Sequence, residues 1–81
     1  MQKCMNPLKL VSLLELHFPD AQVEEPTEGK VVFRLNGGVI CNIYLNTGTV
    51  YFQGKTTGKN KQIIESIENM MISINDENTH M

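Results

Sequence analysis

The chain has 81 residues, an apolar fraction of 41% and a formal net charge of -2. That length leaves room for one small core, the apolar fraction excludes a wholly disordered chain, and the charge argues against a general nucleic-acid coat protein while allowing a local basic patch. Cys4 and Cys41 form no CxxC pair and stand in no Cys/His cluster, so neither a zinc site nor a cofactor is expected, and a reducing, cytoplasmic setting is. The longest apolar run is too short to span a bilayer, so no membrane partner is expected.

Asn6-Pro7 opens the first element. Asparagine is a good N-cap and proline suits the first helical position. Leu10, Leu13, Leu14 and His17 then recur at helical spacing, and Pro19 disfavours helical geometry in the residue before it. The spacing predicts a helix over residues 7–17, preceded by a frayed N-terminus that holds Cys4. The acidic stretch 20–28 reads equally well as a solvated loop or as a short edge strand over 21–25, which Pro26 would confine to an edge or end.

Residues 30–55 carry three alternating runs, predicting strands over 30–35, 39–46 and 49–55. A three-residue loop Asn36-Gly37-Gly38 sets Leu35 against Val39, Phe33 against Cys41 and Val31 against Ile43, which keeps one face apolar. A two-residue turn Thr47-Gly48 would set Leu45 against Val50, Tyr44 against Tyr51 and Asn42 against Gln53. The apolar face needs a cover. Ile63, Ile64, Ile67, Met70, Met71 and Ile74 supply one on a helical stripe predicted over 58–74, capped at Thr57 or Gly58. Residues 75–81 contain no apolar residue except Met81 and read as a disordered tail. The expected fold is α+β: one domain over 1–74, α-β-β-β(-β)-α in order, a two-layer sandwich of an antiparallel meander with both helices on one face.

The opposite sheet face would then carry Lys30, Tyr44 and Tyr51 in one row, Val32, Asn42 and Gln53 in the next, and Arg34, Ile40 and Lys55 in a third. Tyrosines can stack on bases or sugars, amides can bond base edges, and cations can meet phosphates. Lys59 and Lys61 follow at the start of the second helix, where free backbone N–H groups favour anions. The same face could also be plain solvated surface or a protein contact, because antiparallel sheets often leave one face wet.

The stretch "GKTTGKN" lacks the spacing of a phosphate-binding loop and has Asn60 where Ser or Thr is required. No Ser/His/Asp set is present: His17 reads as a helix-end residue and His80 lies in the tail. The acids of 20–28 have no supporting ligands for a metal. No catalytic constellation is expected.

The hairpin resembles a small bacterial module, the TATA-binding-protein-like domain at the N-terminus of ribonuclease HIII, with related repeats in the ribonuclease LS toxin. Its hairpin reads Y-x-S/T-G-K-x-x-x-Q-G-K, and Tyr44, Thr47, Gly48, Gln53, Gly54 and Lys55 match it. The usual lysine after the turn glycine is Thr49 in this chain. The resemblance implies a non-catalytic module whose sheet face holds a nucleic-acid duplex or an RNA–DNA hybrid, with Tyr44, Gln53 and Lys55 as contacts. The α-β-β-β-α order is also similar to that of double-stranded-RNA-binding domains. The reading is therefore a nucleic-acid-binding face made of Lys30, Arg34, Asn42, Tyr44, Tyr51, Gln53, Lys55, Lys59 and Lys61. The alternative is a protein-interaction regulator, an antitoxin-like or phage-type inhibitor of a nuclease or toxin, or a homodimer.

Overall fold

The computed structural model describes residues 2–79. In chain order they form β1 (Gln2–Lys3), α1 (Pro7–His17), β2 (Gln22–Thr27), β3 (Lys30–Arg34), β4 (Val39–Tyr44), β5 (Thr49–Gly54) and α2 (Asn60–Thr79). The strands make one sheet in the order β1-β5-β4-β3-β2, with every neighbouring pair antiparallel. The chain enters at one edge, crosses to the other through α1, and meanders back until β5 lies beside β1.

Local chemistry accounts for α1. The Asn6 side chain accepts a hydrogen bond from the Lys9 amide at 3.2 Å, and Pro7 occupies the first turn. Proline costs nothing there, because that N–H would have no helical partner. Leu10 and Leu14 are fully buried, one turn apart. On α2, Ile67, Met71 and Ile74 fill the same core. Both helices therefore cover one face of the sheet, against Val31, Phe33, Leu35, Val39, Cys41, Ile43 and Val50.

The first hairpin has the expected register: Val31 pairs with Ile43, Phe33 with Cys41 and Arg34 with Ile40. Gly37 and Gly38 take φ of 85° and 90° in its loop, which an L side chain adopts only with strain.

The second hairpin does not have the expected register. Ile43 pairs with Val50, Asn42 with Tyr51 and Ile40 with Gln53. The slip is two residues, so the faces are kept and the rows change. The two-residue turn fails because a hairpin turn of that length needs positive φ at its first central residue, and Thr47 is β-branched. Only Gly48 has positive φ in the loop (76°), and its N–H bonds to the Tyr44 carbonyl at 2.8 Å across a longer loop.

Three further boundaries differ from expectation. Residues 2–4 are not frayed: Gln2 and Lys3 pair with β5, the Cys4 amide donates to Gly48 O at 2.7 Å, and Cys4 is buried. The acidic stretch takes the edge-strand alternative, over residues 22–27 rather than 21–25, passing through Pro26 with an irregularity between Glu24 and Thr27. Helix α2 begins at Asn60, two residues after the expected start, and runs through Thr79 rather than stopping at 74, so residues 75–79 are helix where a tail was expected. Asn75 explains the extension. Its Oδ1 accepts from the Met5 amide at 2.7 Å and its Nδ2 donates to Lys3 O at 3.0 Å, while Lys9 pairs with Glu77. Residues 80–81 lie outside the described residues. No helix among the described residues is long and apolar enough to cross a membrane.

Candidate nucleic-acid interface

The helices cover one face of the sheet, and the other face is open. Strand alternation and the observed register place its side chains in rows. Gln22, Arg34, Ile40 and Gln53 lie along one row, and Glu24, Val32, Asn42 and Tyr51 along the next. Lys30 and Tyr44 stand in the third, with Thr49 and Lys3 beyond them.

Tyr44 and Tyr51 come together diagonally across β4 and β5, a separation that long aromatic side chains can span. Their ring centroids are 6.0 Å apart, with planes 19° from parallel. Lys30 Nζ sits 5.3 Å from the Tyr44 ring centroid, an attractive arrangement of cation and π face. Tyr44 thus stands between Lys30 and Tyr51, and its hydroxyl lies 3.5 Å from that of Tyr51. The pair presents two adjacent hydroxyls and ring edges rather than two free faces. Such a group suits phosphate or sugar oxygens better than stacking on successive bases.

The two phenols differ in acidity. The hydrogen bond from Tyr51, followed by the one from Lys30, lowers the Tyr44 pKa from its ordinary 10.0. The bond that Tyr51 makes to Tyr44 raises the Tyr51 pKa from the same value. An ultraviolet titration of the tyrosines should therefore show two steps on either side of the ordinary value. In Tyr51→Phe, which keeps the ring and removes the donor, the Tyr44 step should move upward. A single unsplit step in the unmodified protein would contradict the arrangement.

Asn42 differs from its expected role. It is only 2% exposed, and its Nδ2 donates to Gln53 Oε1 at 2.9 Å, with Tyr51 O at 3.5 Å. Burial withdraws it from contact with a ligand; it orients Gln53, which is exposed. Val32, in the same row, is also buried at 6% exposure. The open face therefore has a small packed floor beneath its polar rim.

The expected cations are spread more widely than the sequence rows implied. Arg34 pairs with Glu24, so its charge is partly offset at the β2 side. Lys55 lies past the end of β5; its amide donates to Gly38 O at 3.0 Å, and its side chain runs beside Gly38. Lys59 is exposed just before α2. Lys61 lines a recess of about 430 Å³ between β5 and α2, shared with Tyr51, Phe52 and Ile64. The residue that sequence reasoning missed is Lys3, which the β1–β5 register brings to the Tyr44 row. A two-residue strand has no alternation to read, so nothing in the sequence marked it.

Asn60 links these parts. Its Nδ2 donates to Gly37 O at 3.0 Å and to Lys55 O at 2.9 Å, joining the start of α2 to the first hairpin loop and the end of β5. Among the described residues no group of three or more His, Cys, Asp or Glu is placed to hold a metal ion. Comparison with known protein families, with curated proteins and with solved structures finds no match for this chain.

Proposed function

We propose that this protein is a non-catalytic nucleic-acid-binding module that uses its open sheet face. The observation that carries the reading is the Tyr44–Tyr51 pair, its hydroxyls side by side and Lys30 against one ring, on a face that neither helix covers. Lys3, Lys30 and Gln53 surround it, with Lys55 at the end of β5. Because the rings stack on each other, contacts run to the backbone more than to bases. Binding should therefore depend on salt more than on sequence. The hairpin resemblance to the ribonuclease HIII module supports the same reading through Tyr44, Gln53 and Lys55.

The test is fluorescence anisotropy with labelled single-stranded RNA, duplex DNA and an RNA–DNA hybrid, at low and near-physiological salt. We expect a duplex to bind best, with a log–log salt slope of about −3 if Lys3, Lys30 and Lys55 each meet a phosphate. The double variant Lys30→Ala/Tyr51→Ala should bind at least about tenfold more weakly, roughly 1.4 kcal/mol. Absence of binding at low salt would overturn the proposal.

A second reading has its own observation. The Arg34–Glu24 pair and the exposed acids of β2 lie at the sheet edge across β3 from the tyrosines, which suits a protein partner with its own cations. A regulator of a nuclease or toxin fits that description. A stoichiometric protein complex that persists at high salt would favour it.

A further inference from the structure

Among the described residues Asn42 is the one polar side chain that is buried, at 2% exposure. The fold does not require an amide there. Its neighbours across the strands are Val32 and Tyr51, and an apolar side chain of like size would fill the place without the cost of burying a polar group. The amide has one use on this face. Its Nδ2 donates to Gln53 Oε1 at 2.9 Å and lies 3.5 Å from Tyr51 O.

These contacts fix a direction. A backbone carbonyl can only accept, so Tyr51 O turns the nitrogen of Asn42 toward β5. That nitrogen can only donate, so Gln53 turns its oxygen to Asn42 and its NH2 outward, on an exposed side chain. The Tyr44 hydroxyl is sorted in the same way. Tyr51 and Lys30 both donate toward its oxygen, which leaves its own proton outward. Lys3 and Lys30 carry donors only. Gln53 follows Tyr51 by two positions on β5, so the amide and the paired hydroxyls stand on one face, roughly 7 Å apart along the strand.

We infer that Gln53, held by Asn42, is an uncharged donor to a phosphate oxygen of the nucleic-acid backbone, with Asn42 as its positioning residue. The inference rests on the nucleic-acid reading above and adds the chemistry of one contact. A phosphate oxygen is an acceptor with no proton to give, so it matches a face whose outward groups carry protons. A base edge mixes donors with acceptors and would match that face only at some positions. A neutral amide displaces no counterion when it binds, so its contribution does not change with salt, unlike that of a lysine. Without Asn42 the amide would be free to turn its oxygen outward, against the oxygen of the phosphate.

Anisotropy titrations over a range of salt test this, with A·T-rich and G·C-rich duplexes, each as DNA and as RNA–DNA hybrid. Gln53→Met keeps the length and removes the amide. It should weaken binding about tenfold at every salt concentration and leave the log–log slope unchanged, whereas Lys30→Ala should reduce the slope by about 1. Gln53→Glu keeps an acceptor for Asn42 and turns an oxygen outward, so it should bind more weakly still. Asn42→Leu should weaken binding about threefold, as the share of competent Gln53 orientations falls to roughly a third. It should not lower the urea midpoint, because the released Gln53 amide is met by water, and it should have no further effect in the Gln53→Met background. Asn42→Val replaces it if the leucine variant does not fold. If the wild type binds with a Lys30-dependent slope and Gln53→Met binds equally well, the nucleic-acid reading stands and this inference falls. It falls too if the effects of Asn42→Leu and Gln53→Met add in full. A loss in Gln53→Met that differs between A·T-rich and G·C-rich duplexes would assign the amide to a base edge and overturn the phosphate contact. A wild type that binds none of the four duplexes overturns the reading and the inference together.

Discussion

Replacing Gly48 by alanine should destabilise the protein by about 3 kcal/mol, a large share of the total for a domain of this size. Two effects add. Gly48 has φ of 76°, and a side chain in that left-handed conformation costs roughly 1–2 kcal/mol. A Cβ there would also lie 2.3 Å from the Cys4 carbonyl oxygen. That atom belongs to the backbone, so it can yield only if β1 moves away from β5, with loss of the hydrogen bond from Cys4 N–H to Gly48 O. Gly58→Ala is the control. Its φ is 67°, but nothing lies within 4 Å of the added Cβ, so it should cost only the backbone part, about 1 kcal/mol. Urea denaturation of both variants, with amide exchange at Cys4, separates the two contributions. Equal costs for the two substitutions would mean that β1 does not pack against the Gly48 loop as described.

The second large effect is an alkaline loss of stability that depends on Cys41. This thiol is fully buried on the helix side of β4, and burial pushes its pKa from the ordinary 9.0 up to about 12. The unfolded chain releases the proton near the ordinary value, while the folded one holds it to the higher value. Between them the folded state binds more protons, so stability falls as pH rises. The contribution is fully present below about pH 9 and is lost as pH approaches 12. At about 1.4 kcal/mol per pH unit, the loss is on the order of 4 kcal/mol. Tyr44 and Tyr51 titrate in the same range with opposite shifts, and the buried Cys4 thiol is raised as well. The decisive measurement is therefore the difference between the wild type and Cys41→Ala across that range. The variant should start lower by about 1 kcal/mol for the small cavity and then lose stability less steeply. Parallel curves would show that Cys41 is not buried as a neutral thiol.

Both predictions arise where the chain packs against itself far along the sequence, and the same division explains what could be read in advance. Helix α1 was legible because its signals lie within a few residues of one another: Asn6 as the cap, Pro7 in the first turn, Leu10 and Leu14 one turn apart, and Pro19 beyond the end. The first hairpin was legible because only one loop length puts Val31, Phe33 and Leu35 on the same face as Ile43, Cys41 and Val39. The existence of an open face bearing Tyr44, Tyr51 and Gln53 followed from that alternation alone.

Its arrangement did not. A slip of two residues in the second hairpin keeps every side chain on its face, so the hydrophobic pattern cannot detect it. The loop decides instead, through the conformation that Thr47 cannot adopt. The slip moves Tyr51 into the row of Asn42, makes the tyrosine contact diagonal, and lets Asn42 sink beneath Gln53. Strand β1 is too short for a period; its pairing with β5 brings Lys3 to the open face, and Asn75, on the far end of α2, secures the segment by binding Lys3 O and the Met5 amide. The same contact carries α2 past Ile74 through a polar segment that local propensity leaves undecided. In this protein the sequence by itself determined which face of the sheet each residue of β3, β4 and β5 takes, because side-chain period is a local property. The tertiary structure decided which of the solvent-facing residues meet, because register and chain ends are set by contacts between residues up to 72 positions apart.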